Sequence, residues 1–352
     1  MANPITIDNH PIGKDHPTFV IAEMSGNHNG DINRAMQLLE AAKNAGADAV
    51  KLQTYTADTI TIDHDGPGFV IEGGLWDGRT LYDLYEEAHT PWDWHQALFA
   101  KARELDLIIF SSPFDETAVD LLEELNAPAY KIASFEAVDL PLIEYVASKG
   151  KPMIISTGIA NEIEIQNAVD AARNAGCDDL ILLHCVSGYP TPAEDIHLNT
   201  MPEIAERYGV LAGLSDHTMG TAVSVASVAL GACVIEKHFT LARADGGPDA
   251  AFSLEPDELQ HLCNDVKTAW SALGKVNFER KPSESGNAQF RRSLYAVKDI
   301  PAGEIINKQN VRSIRPGFGL PPSDLKQILG CRSNTDIAKG TPLSWDLIEE
   351  QS

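Results

Sequence analysis

The 352-residue chain is poor in positive charge. It has 27 lysines and arginines against 51 aspartates and glutamates, which gives a formal net charge of -24. A surplus of this size repels nucleic acid and anionic membrane surfaces over a long range, so neither is expected as a partner. Any anionic substrate must therefore bind in a pocket that carries its own local positive charge.

Cysteine is also scarce. The five cysteines are odd in number, widely spaced and mostly set among apolar neighbours, with no C-x-x-C pair. This pattern is typical of reduced, structural cysteines. The N-terminal residues show no basic patch followed by an apolar run, so no secretory signal is predicted. Both observations favour a cytoplasmic protein.

Long apolar runs are missing as well, apart from one charge-free segment, 218–235, of about the length of a membrane span. This segment is rich in Ser, Thr, Ala and Gly rather than Leu and Phe, and Gly231 divides it. We expect a buried helix followed by a buried strand, not a membrane helix.

Short apolar runs, in contrast, recur along the chain with helical patterns between them. There are eight: 19–25, 49–54, 107–114, 129–134, 152–158, 180–187, 211–217 and 232–239. Asp31 is placed to cap a helix ending at Gly46, and Asn161 and Glu164 have the spacing of a capping box for a helix ending at Gly176. Eight strand–helix repeats predict a TIM (β/α)8 barrel, an α/β fold.

The barrel is predicted to fill residues 1–276, with an N-terminal extension and an insertion at about 55–90. An irregular stretch this long on a barrel is usually functional. The charged stretch 277–290, punctuated by Pro, Ser and Gly, is predicted to be a linker. Residues 291–352 hold short strand-like pieces and turns, which indicate a small, mostly-β domain.

Polar side chains recur near the ends of the predicted strands, although strands of a parallel barrel are almost wholly apolar. They stand on the first, second, seventh and eighth strands, with further ones from the fourth and fifth: Glu23 and Ser25, Lys51 and Gln53, Ser215 and His217, Glu236 and His238, and then Lys131, Ser134, Glu136 and Ser156. Alternate residues near the strand C-termini point into the barrel mouth, where barrel enzymes keep their active sites. The pattern therefore predicts an active site.

Lys51 and Lys131 are the candidate cations of this site. With several hydroxyls and strand-end backbone amides, they suit a small anion that carries both a phosphate and a carboxylate. Two other interpretations stay open from the residues alone. Either lysine would form a buried pair with a glutamate, or either would form a Schiff base, as in an aldolase.

His217 and His238 end adjacent predicted strands, so their imidazoles are expected to approach one cation. Neighbouring Asp216, Glu236 and Asp249 are candidates to complete an open ligand shell with water. Hydrogen-bonded core histidines are the alternative. His28, within GNHNG, is expected to shape the first loop rather than to bind metal.

With these residues placed, the chain resembles the sialic acid synthase family over both domains. The matching segments are, in order, IAEMSGNHNG, AVKLQT, YKIASFE, STG, CVSGYPTP, GLSDHT and IEKHF. The tail RSLYAVKDIPAGEIINKQNVRSIRPGFGL is similar to the family's C-terminal SAF domain, whose fold is shared with type III antifreeze proteins. The resemblance implies an enzyme that condenses phosphoenolpyruvate with an amino-sugar aldehyde to give a nine-carbon sugar acid.

The resemblance also implies roles for individual residues. Phosphoenolpyruvate and the sugar would be bound by Lys51, Gln53, Lys131, Ser134, Ser156, Ser187, Tyr189, Ser215, Asp249 and Arg315. Glu23 and Glu136 would act on the sugar and the attacking water, and His217 and His238 would ligate Mn²⁺, or else Mg²⁺ or Co²⁺. Arg315 would reach a neighbour's barrel from the small domain, in a swapped homodimer.

Within the family, LWDGRTLYDLYEEAHTPWDWH in the insertion, FSSPFD and KLQTY resemble the branch that uses 2,4-diacetamido-2,4,6-trideoxy-altrose. Trp76, Tyr82 and Tyr85 of the insertion are expected to form an apolar wall for that sugar. His184 departs from this branch, in which Lys is expected, and is more similar to the neuraminate branch. This departure keeps a neuraminate or legionaminic acid synthase as the alternative within the family. The two lysines keep a Schiff-base aldolase open, and the antifreeze-like tail keeps open a protein that only binds carbohydrate or ice.

Overall fold

The computed structural model describes residues 2–349, so the outer ends of the two predicted domains, Met1 and 350–352, lie outside the described residues. The chain divides into two compact units, Met1–Gly274 and Lys275–Ser352. The strands, in chain order, are β1 Ile5–Ile7, β2 His10–Ile12, β3 Phe19–Glu23, β4 Ala49–Thr54, β5 Ile108–Pro113, β6 Tyr130–Ile132, β7 Met153–Ser156, β8 Leu180–Cys185, β9 Leu211–Ser215, β10 Val234–His238, β11 Ser293–Ala296 and β12 Val311–Ile314.

Strands β3 to β10 form a closed parallel barrel, which confirms the predicted fold. β10 pairs with β3 in a register that places His238 opposite Glu23, and β3 pairs with β4 so that Glu23 is opposite Lys51. Each of the eight predicted runs contains one barrel strand. Closure thus brings the first and last strands together, with their polar ends side by side.

The helices of the first unit are α1 Ile32–Ala45, α2 Ala57–Ile60, α3 Leu81–Ala88, α4 His95–Glu104, α5 Glu116–Glu124, α6 Leu140–Ala147, α7 Glu162–Asn174, α8 Thr200–Tyr208, α9 Ala222–Ala229 and α10 Pro256–Leu273, and the second unit holds α11 Leu325–Ile328. In the first unit they alternate with the barrel strands as the repeats predict, except that α2 and α3 lie in the insertion after β4. Helix α1 is capped at its start by Asp31, whose side chain accepts from Asn33 N, and at its end by Gly46 in the left-handed conformation. The predicted capping box of α7, formed by Asn161 and Glu164, is present.

The charge-free segment 218–235 holds helix α9 and the start of strand β10, with Gly231 at a positive φ of 92° between them. Its prediction as a helix followed by a strand is confirmed. Within residues 2–349, no helix is long and apolar enough to cross a membrane.

The N-terminal extension forms an antiparallel hairpin, β1–β2, that no pattern in the sequence indicates. Its Ile5, Ile7 and Ile12 are buried with Phe19 and with the first residues of several other barrel strands. The hairpin therefore seals the N-terminal end of the barrel with apolar side chains. The polar groups are left at the opposite end, where the strands finish.

The second unit is built around the antiparallel pair β11–β12, in which Leu294 lies opposite Ser313. Its small apolar core contains Leu294, Ile306, Val311 and Leu343. One short helix, α11, interrupts an otherwise strand- and turn-based fold.

Candidate active site

Four charged side chains are buried together inside the barrel mouth. Their relative exposures are 1% for Glu23, 3% for Lys51, 2% for Lys131 and 4% for Glu236. They reach the same layer because they stand at inward-facing positions of β3, β4, β6 and β10. Charged groups are rarely buried this deeply unless they are paired, so their partners define the site.

Lys51 is the most strongly paired of the four. Its Nζ lies 2.7 Å from Glu23 Oε2 and 3.7 Å from Glu236 Oε1. It also donates to Ser112 Oγ at 3.2 Å. The buried lysine–glutamate pair considered from the sequence is therefore present at Lys51, within a cluster that also contains Lys131.

Lys131 is held more loosely, with its Nζ 3.9 Å from Glu236 Oε1 and 3.2 Å from the carbonyl oxygen of Ile132. Burial lowers the pKa of Lys131, and the nearby Lys51 acts in the same direction. Burial alone would raise the pKa of Glu236, but Lys131 and Lys51 together lower it. Burial raises the pKa of Glu23 in spite of Lys51.

Two serine hydroxyls lie against Gly158, just beyond strand β7. A Cβ at Gly158 would collide with the hydroxyls of Ser187 and Ser134, and its backbone N–H donates to Ser134 Oγ at 3.2 Å. Within the described part of the chain, the buried oxygens of Ser156 and Ser187 have no hydrogen-bond partner. Buried polar atoms are normally satisfied, so this cradle is suited to an anionic ligand that accepts from the hydroxyls.

The alternating pattern predicted that Ser134 and Glu136 lie on a strand, but neither residue does. Strand β6 ends at Ile132, and both residues lie on the 3-10 turn Ser134–Val138. Burial raises the pKa of Glu136 to about 7, and its Oε2 has no hydrogen-bond partner among residues 2–349. A carboxyl group with this pKa is able to exchange a proton near neutrality.

His217 and His238 lie side by side, with ring centroids 5.3 Å apart. His217 Nδ1 is 3.1 Å from the carbonyl oxygen of Val186. His238 Nδ1 is buried without a hydrogen-bond partner in the described chain, and lies 4.0 Å from Asp249 Oδ2. Burial holds the pKa of His238 well below its usual value, so the ring is neutral, the form that binds metal.

The expectation that Asp216 supports a metal here is wrong. Its carboxylate accepts from Thr218 N at 2.8 Å and pairs with Lys237 Nζ at 3.0 Å, and these partners saturate it. For residues 2–349, no group of three or more His, Cys, Asp or Glu side chains is arranged to hold a metal. The two imidazoles, one of which carries the His238 nitrogen described above, therefore fit only an open metal site. In such a site, water or substrate oxygens complete the ligand shell.

An aromatic wall borders the histidines, and its membership differs in part from the prediction. Tyr189 has its ring centroid 4.5 Å from His217, 5.7 Å from Trp76 and 5.3 Å from Phe252. The Trp76 indole donates to the Pro248 carbonyl at 2.9 Å, which ties the insertion to the loop after β10. Phe252 was not foreseen, because its spacing carries no strand or motif signal.

Two tyrosines of the insertion lie elsewhere. The hydroxyl of Tyr82 donates to Asp58 at 3.2 Å, away from the wall, which corrects its predicted place. Tyr85 packs edge-on against Tyr55, at a centroid distance of 5.8 Å. Tyr55 is buried, and no motif or spacing in the sequence marks it as part of this region.

The remaining predicted residues occupy different surroundings. Gln53 donates to Glu23 Oε1 at 2.9 Å, and Ser215 donates to Glu236 Oε1 at 3.4 Å. His28 Nδ1 accepts from Gly30 N at 3.2 Å, in agreement with a loop-shaping role. Arg315 lies in the second unit, exposed, directly after β12.

His184, the departure from the expected branch pattern, does not face the barrel mouth. Its neighbours along β8, Leu183 and Cys185, point inward, and its own Nε2 hydrogen-bonds the Ile196 carbonyl oxygen. The identity of this residue therefore bears on the packing of the loop after β8 more than on substrate contact.

A closed barrel whose mouth holds two buried lysines, a serine cradle and paired histidines defines a TIM-barrel enzyme that acts on an anionic substrate. Residues 38–278 match the NeuB family, and residues 291–349 match the SAF domain. The chain belongs to the NeuB family. Its second unit is an SAF domain, as the tail motif implied.

Individual relatives are similar over nearly the whole chain. The chain is 45% identical to the pseudaminic acid synthase of Helicobacter pylori, covering 95% of this chain and 98% of that one. It is 36% identical to the N,N'-diacetyllegionaminic acid synthase of Legionella pneumophila over 96% and 97% of the two chains. A crystal structure of the N-acetylneuraminic acid synthetase of Leptospira borgpetersenii, in complex with citrate, matches with a TM-score of 0.73 and 32% identity, over 83% of this chain and 97% of that one.

Proposed function

We propose that this chain is a pseudaminic acid synthase. It joins phosphoenolpyruvate, 2,4-diacetamido-2,4,6-trideoxy-altrose and water to give pseudaminic acid and phosphate. The observation that carries the anion half of this proposal is the Gly158 cradle together with the buried hydroxyls of Ser156 and Ser187, which have no hydrogen-bond partner among the described residues. The identity to the Helicobacter pylori synthase supports the choice of sugar.

The mouth has the chemistry that phosphoenolpyruvate needs. Lys51 and Lys131 supply positive charge, and Ser134, Ser156, Ser187 and Ser215 supply hydroxyls for its phosphate and carboxylate oxygens. Binding such an anion offsets the charge of Lys131, whose contact with Glu236 is long at 3.9 Å. The sugar then occupies the side lined by Glu23, Gln53, Tyr189 and Asp249.

The reaction balances without a covalent enzyme intermediate. Carbon 3 of phosphoenolpyruvate bonds to the aldehyde carbon, and the aldehyde oxygen gains a proton to become a hydroxyl. Water adds at carbon 2 and loses one proton, and the bond from carbon 2 to the phosphate oxygen then breaks as the remaining hydroxyl proton passes to the departing phosphate. Phosphate departs towards Lys131 and the serine hydroxyls, and a ketone remains at carbon 2.

Two carboxyl groups have different roles, one in proton transfer and one in orienting the sugar. Glu136, with its pKa at about 7, accepts the proton of the attacking water, and its negative charge stabilises positive charge that develops at carbon 2. Glu23, fixed by Lys51 and Gln53, orients the sugar hydroxyls. His217 and His238 would hold a divalent ion, with Mn²⁺ as the proposed metal; such an ion, when bound, polarises the aldehyde oxygen.

We also infer a homodimer in which Arg315 completes the partner's site. Arg315 is exposed, and its planar, permanently charged guanidinium suits the N-acetyl or hydroxyl oxygens of a sugar. The five free, buried cysteines favour a reducing compartment, which supports the cytoplasm as the place of action.

A substrate panel tests the proposal. Phosphoenolpyruvate is offered with N-acetylmannosamine, with the 2,4-diacetamido-trideoxy-altrose and with its manno isomer, and kcat/KM is compared by phosphate release. We expect the altrose substrate to be preferred by a wide margin. Preference for either other sugar would move the chain to the neuraminate or legionaminic branch, and no phosphate release with any sugar would favour a binding protein.

A Schiff-base mechanism is the enzymatic rival, because the lowered pKa of Lys131 is the property that such a lysine needs. Borohydride treatment in the presence of substrate distinguishes the two mechanisms. A covalent adduct on Lys131 or Lys51, detected by mass spectrometry, would contradict the mechanism proposed here.

A further inference from the structure

Ser25 is a buried residue that lies two positions beyond the end of strand β3, with 2% relative exposure. Its hydroxyl donates to Asp249 Oδ2 and accepts from Gln53 Nε2 at 3.1 Å. One hydroxyl thus bridges two side chains from β4 and the loop after β10. The resemblance that pointed to Gln53 and Asp249 assigns no role to this serine.

The bridge connects the two halves of the proposed sugar side. The amide of Gln53 also donates to Glu23 Oε1 at 2.9 Å, and Glu23 is the partner of Lys51. At the other end, Asp249 Oδ2 lies 4.0 Å from His238 Nδ1. The hydroxyl of Ser25 therefore sets the orientation of one group beside the lysine cluster and of another beside the histidines.

The backbone indicates that the side chain is used. Ser25 has a φ of +46°, in the left-handed region where glycine is favoured. Its neighbour Gly26 is a glycine for a different reason, because a Cβ there would lie 3.1 Å from Ala88 Cα. The chain thus keeps a serine at the position where the backbone conformation favours glycine, in spite of the strain.

Other contacts already hold the loop after β10. Asn27 donates to Ser253 Oγ at 2.9 Å, Asn29 donates to the Gly246 carbonyl at 3.1 Å, and Trp76 donates to the Pro248 carbonyl at 2.9 Å. Loss of the Ser25 hydroxyl would leave these three anchors intact. It would remove one hydrogen bond from the Asp249 carboxylate and one from the Gln53 amide, and so loosen the orientation of these two side chains.

We propose that Ser25 is a positioning residue for the sugar substrate, acting through Asp249 and Gln53. It holds the Asp249 carboxylate next to His238 and the Gln53 amide against Glu23. The inference rests on the proposed function, since it assigns these side chains to the sugar rather than to phosphoenolpyruvate. The expected defect is therefore specific to one of the two substrates.

The test compares Ser25→Ala with Ser25→Gly. Both variants lack the hydroxyl, but glycine also relieves the positive φ. We expect both to lose about tenfold or more in kcat/KM for the sugar, while KM for phosphoenolpyruvate changes less than about threefold. Ser25→Gly should unfold at the same temperature as Ser25→Ala or higher, so that activity follows the hydroxyl and not the backbone.

Two further measurements separate positioning from a general structural effect. Ser227→Ala removes a buried hydroxyl that donates to the Ser224 carbonyl on α9, outside the site, and should keep wild-type kinetics. The double variant Ser25→Ala/Asp249→Asn should have a kcat/KM for the sugar no lower than that of the less active single variant. Each single change already removes the Ser25–Asp249 hydrogen bond, so the second change has none of it left to remove.

Wild-type activity in Ser25→Gly, equal losses for both substrates, or multiplied losses in the double variant would overturn the role of Ser25. These results differ from failure of the proposed function. In that case the wild-type enzyme itself would not release phosphate with any sugar of the panel.

Discussion

Glu236 Oε1 lies 3.9 Å from the Nζ of Lys131. The same oxygen is 3.7 Å from Lys51 Nζ, so one carboxylate stands between two buried ammonium groups. The two lysines lower the pKa of Glu236 against the effect of burial, so it stays ionised at neutral pH. Without a bound anion, this carboxylate moderates the repulsion between the lysines.

Replacing Glu236 with Gln should therefore destabilise the enzyme by about 3–5 kcal/mol in phosphate-free buffer, because a buried charge pair loses one partner. Inorganic phosphate or phosphoenolpyruvate should restore more stability to this variant than to the wild type. Urea unfolding with and without phosphate measures both effects. Exposed Glu206→Gln is the control, and an unchanged response to phosphate would contradict the arrangement.

The raised pKa of Glu136 has a consequence for stability. A carboxyl group whose pKa is about 7 when folded and 4.5 when unfolded costs stability as pH rises through that interval, because the buried form must ionise. Glu136→Gln cannot ionise, so it should be more stable than the wild type at pH 8, by roughly 1–3 kcal/mol, and not at pH 4.5. The same variant should lose most of its turnover.

Unfolding by urea at a series of pH values measures this difference. A stability difference between Glu136→Gln and the wild type that is constant from pH 4.5 to pH 8 would show that Glu136 does not titrate within this range.

The adjacent histidines predict a metal requirement. A chelator should abolish turnover and Mn²⁺ should restore it, and His217→Ala or His238→Ala should lose most activity while remaining folded. His261→Ala, on the exposed face of α10, should behave as the wild type. The affinity for Mn²⁺, measured by calorimetry, should fall in His217→Ala and His238→Ala but not in His261→Ala. Full activity in excess chelator would remove the metal from the mechanism.

The position of Trp76 in the aromatic wall leads us to predict that it contributes to the choice of sugar. Trp76→Ala removes both an aromatic face next to Tyr189 and the hydrogen bond to Pro248. We expect kcat/KM for the trideoxy sugar to fall by about 10- to 200-fold, and discrimination against N-acetylmannosamine to shrink, because an apolar wall recognises methyl groups. Tyr82→Phe, which alters only the contact with Asp58, is the matched control. An unchanged ratio of the two kcat/KM values would contradict this role.

If Arg315 of the small domain completes the partner's site, two inactive variants should complement each other. Arg315→Ala and Lys51→Ala should each be nearly inactive, and mixing them should restore activity, because one site of the heterodimer then carries neither change. Arg312→Ala, an exposed arginine of β12, should retain activity by itself. A fully active monomer, or no recovery despite demonstrated subunit exchange, would show that Arg315 does not act across a dimer interface.

Local features of the sequence predicted the barrel framework well. The caps at Asp31 and Asn161 and the αL residue Gly46 depend only on a few neighbouring residues, so their positions could be read directly. The hairpin 5–12 could not, because its two three-residue strands are stable only through burial against the barrel interior.

Alternation predicted which residues reach the mouth wherever the strand continued, as at Lys51 and Glu236. It was wrong about the element that carries Ser134 and Glu136, because β6 ends at Ile132 and both residues lie on a 3-10 turn. It also gave no direction for residues between strands. Asp216, next to His217, turns its carboxylate to Lys237 and away from the proposed metal.

The sequence by itself determined the repeat of strands and helices, the chemical character of the barrel mouth and the family, since each depends on residue type and order along the chain. Only the tertiary structure decided which charges pair. Closure of the barrel brings Glu23 next to Lys51 and places Glu236 between both lysines, across separations in the chain that no local pattern spans. Ion pairing falls off within a few ångströms, so these partners depend on strand register and not on composition.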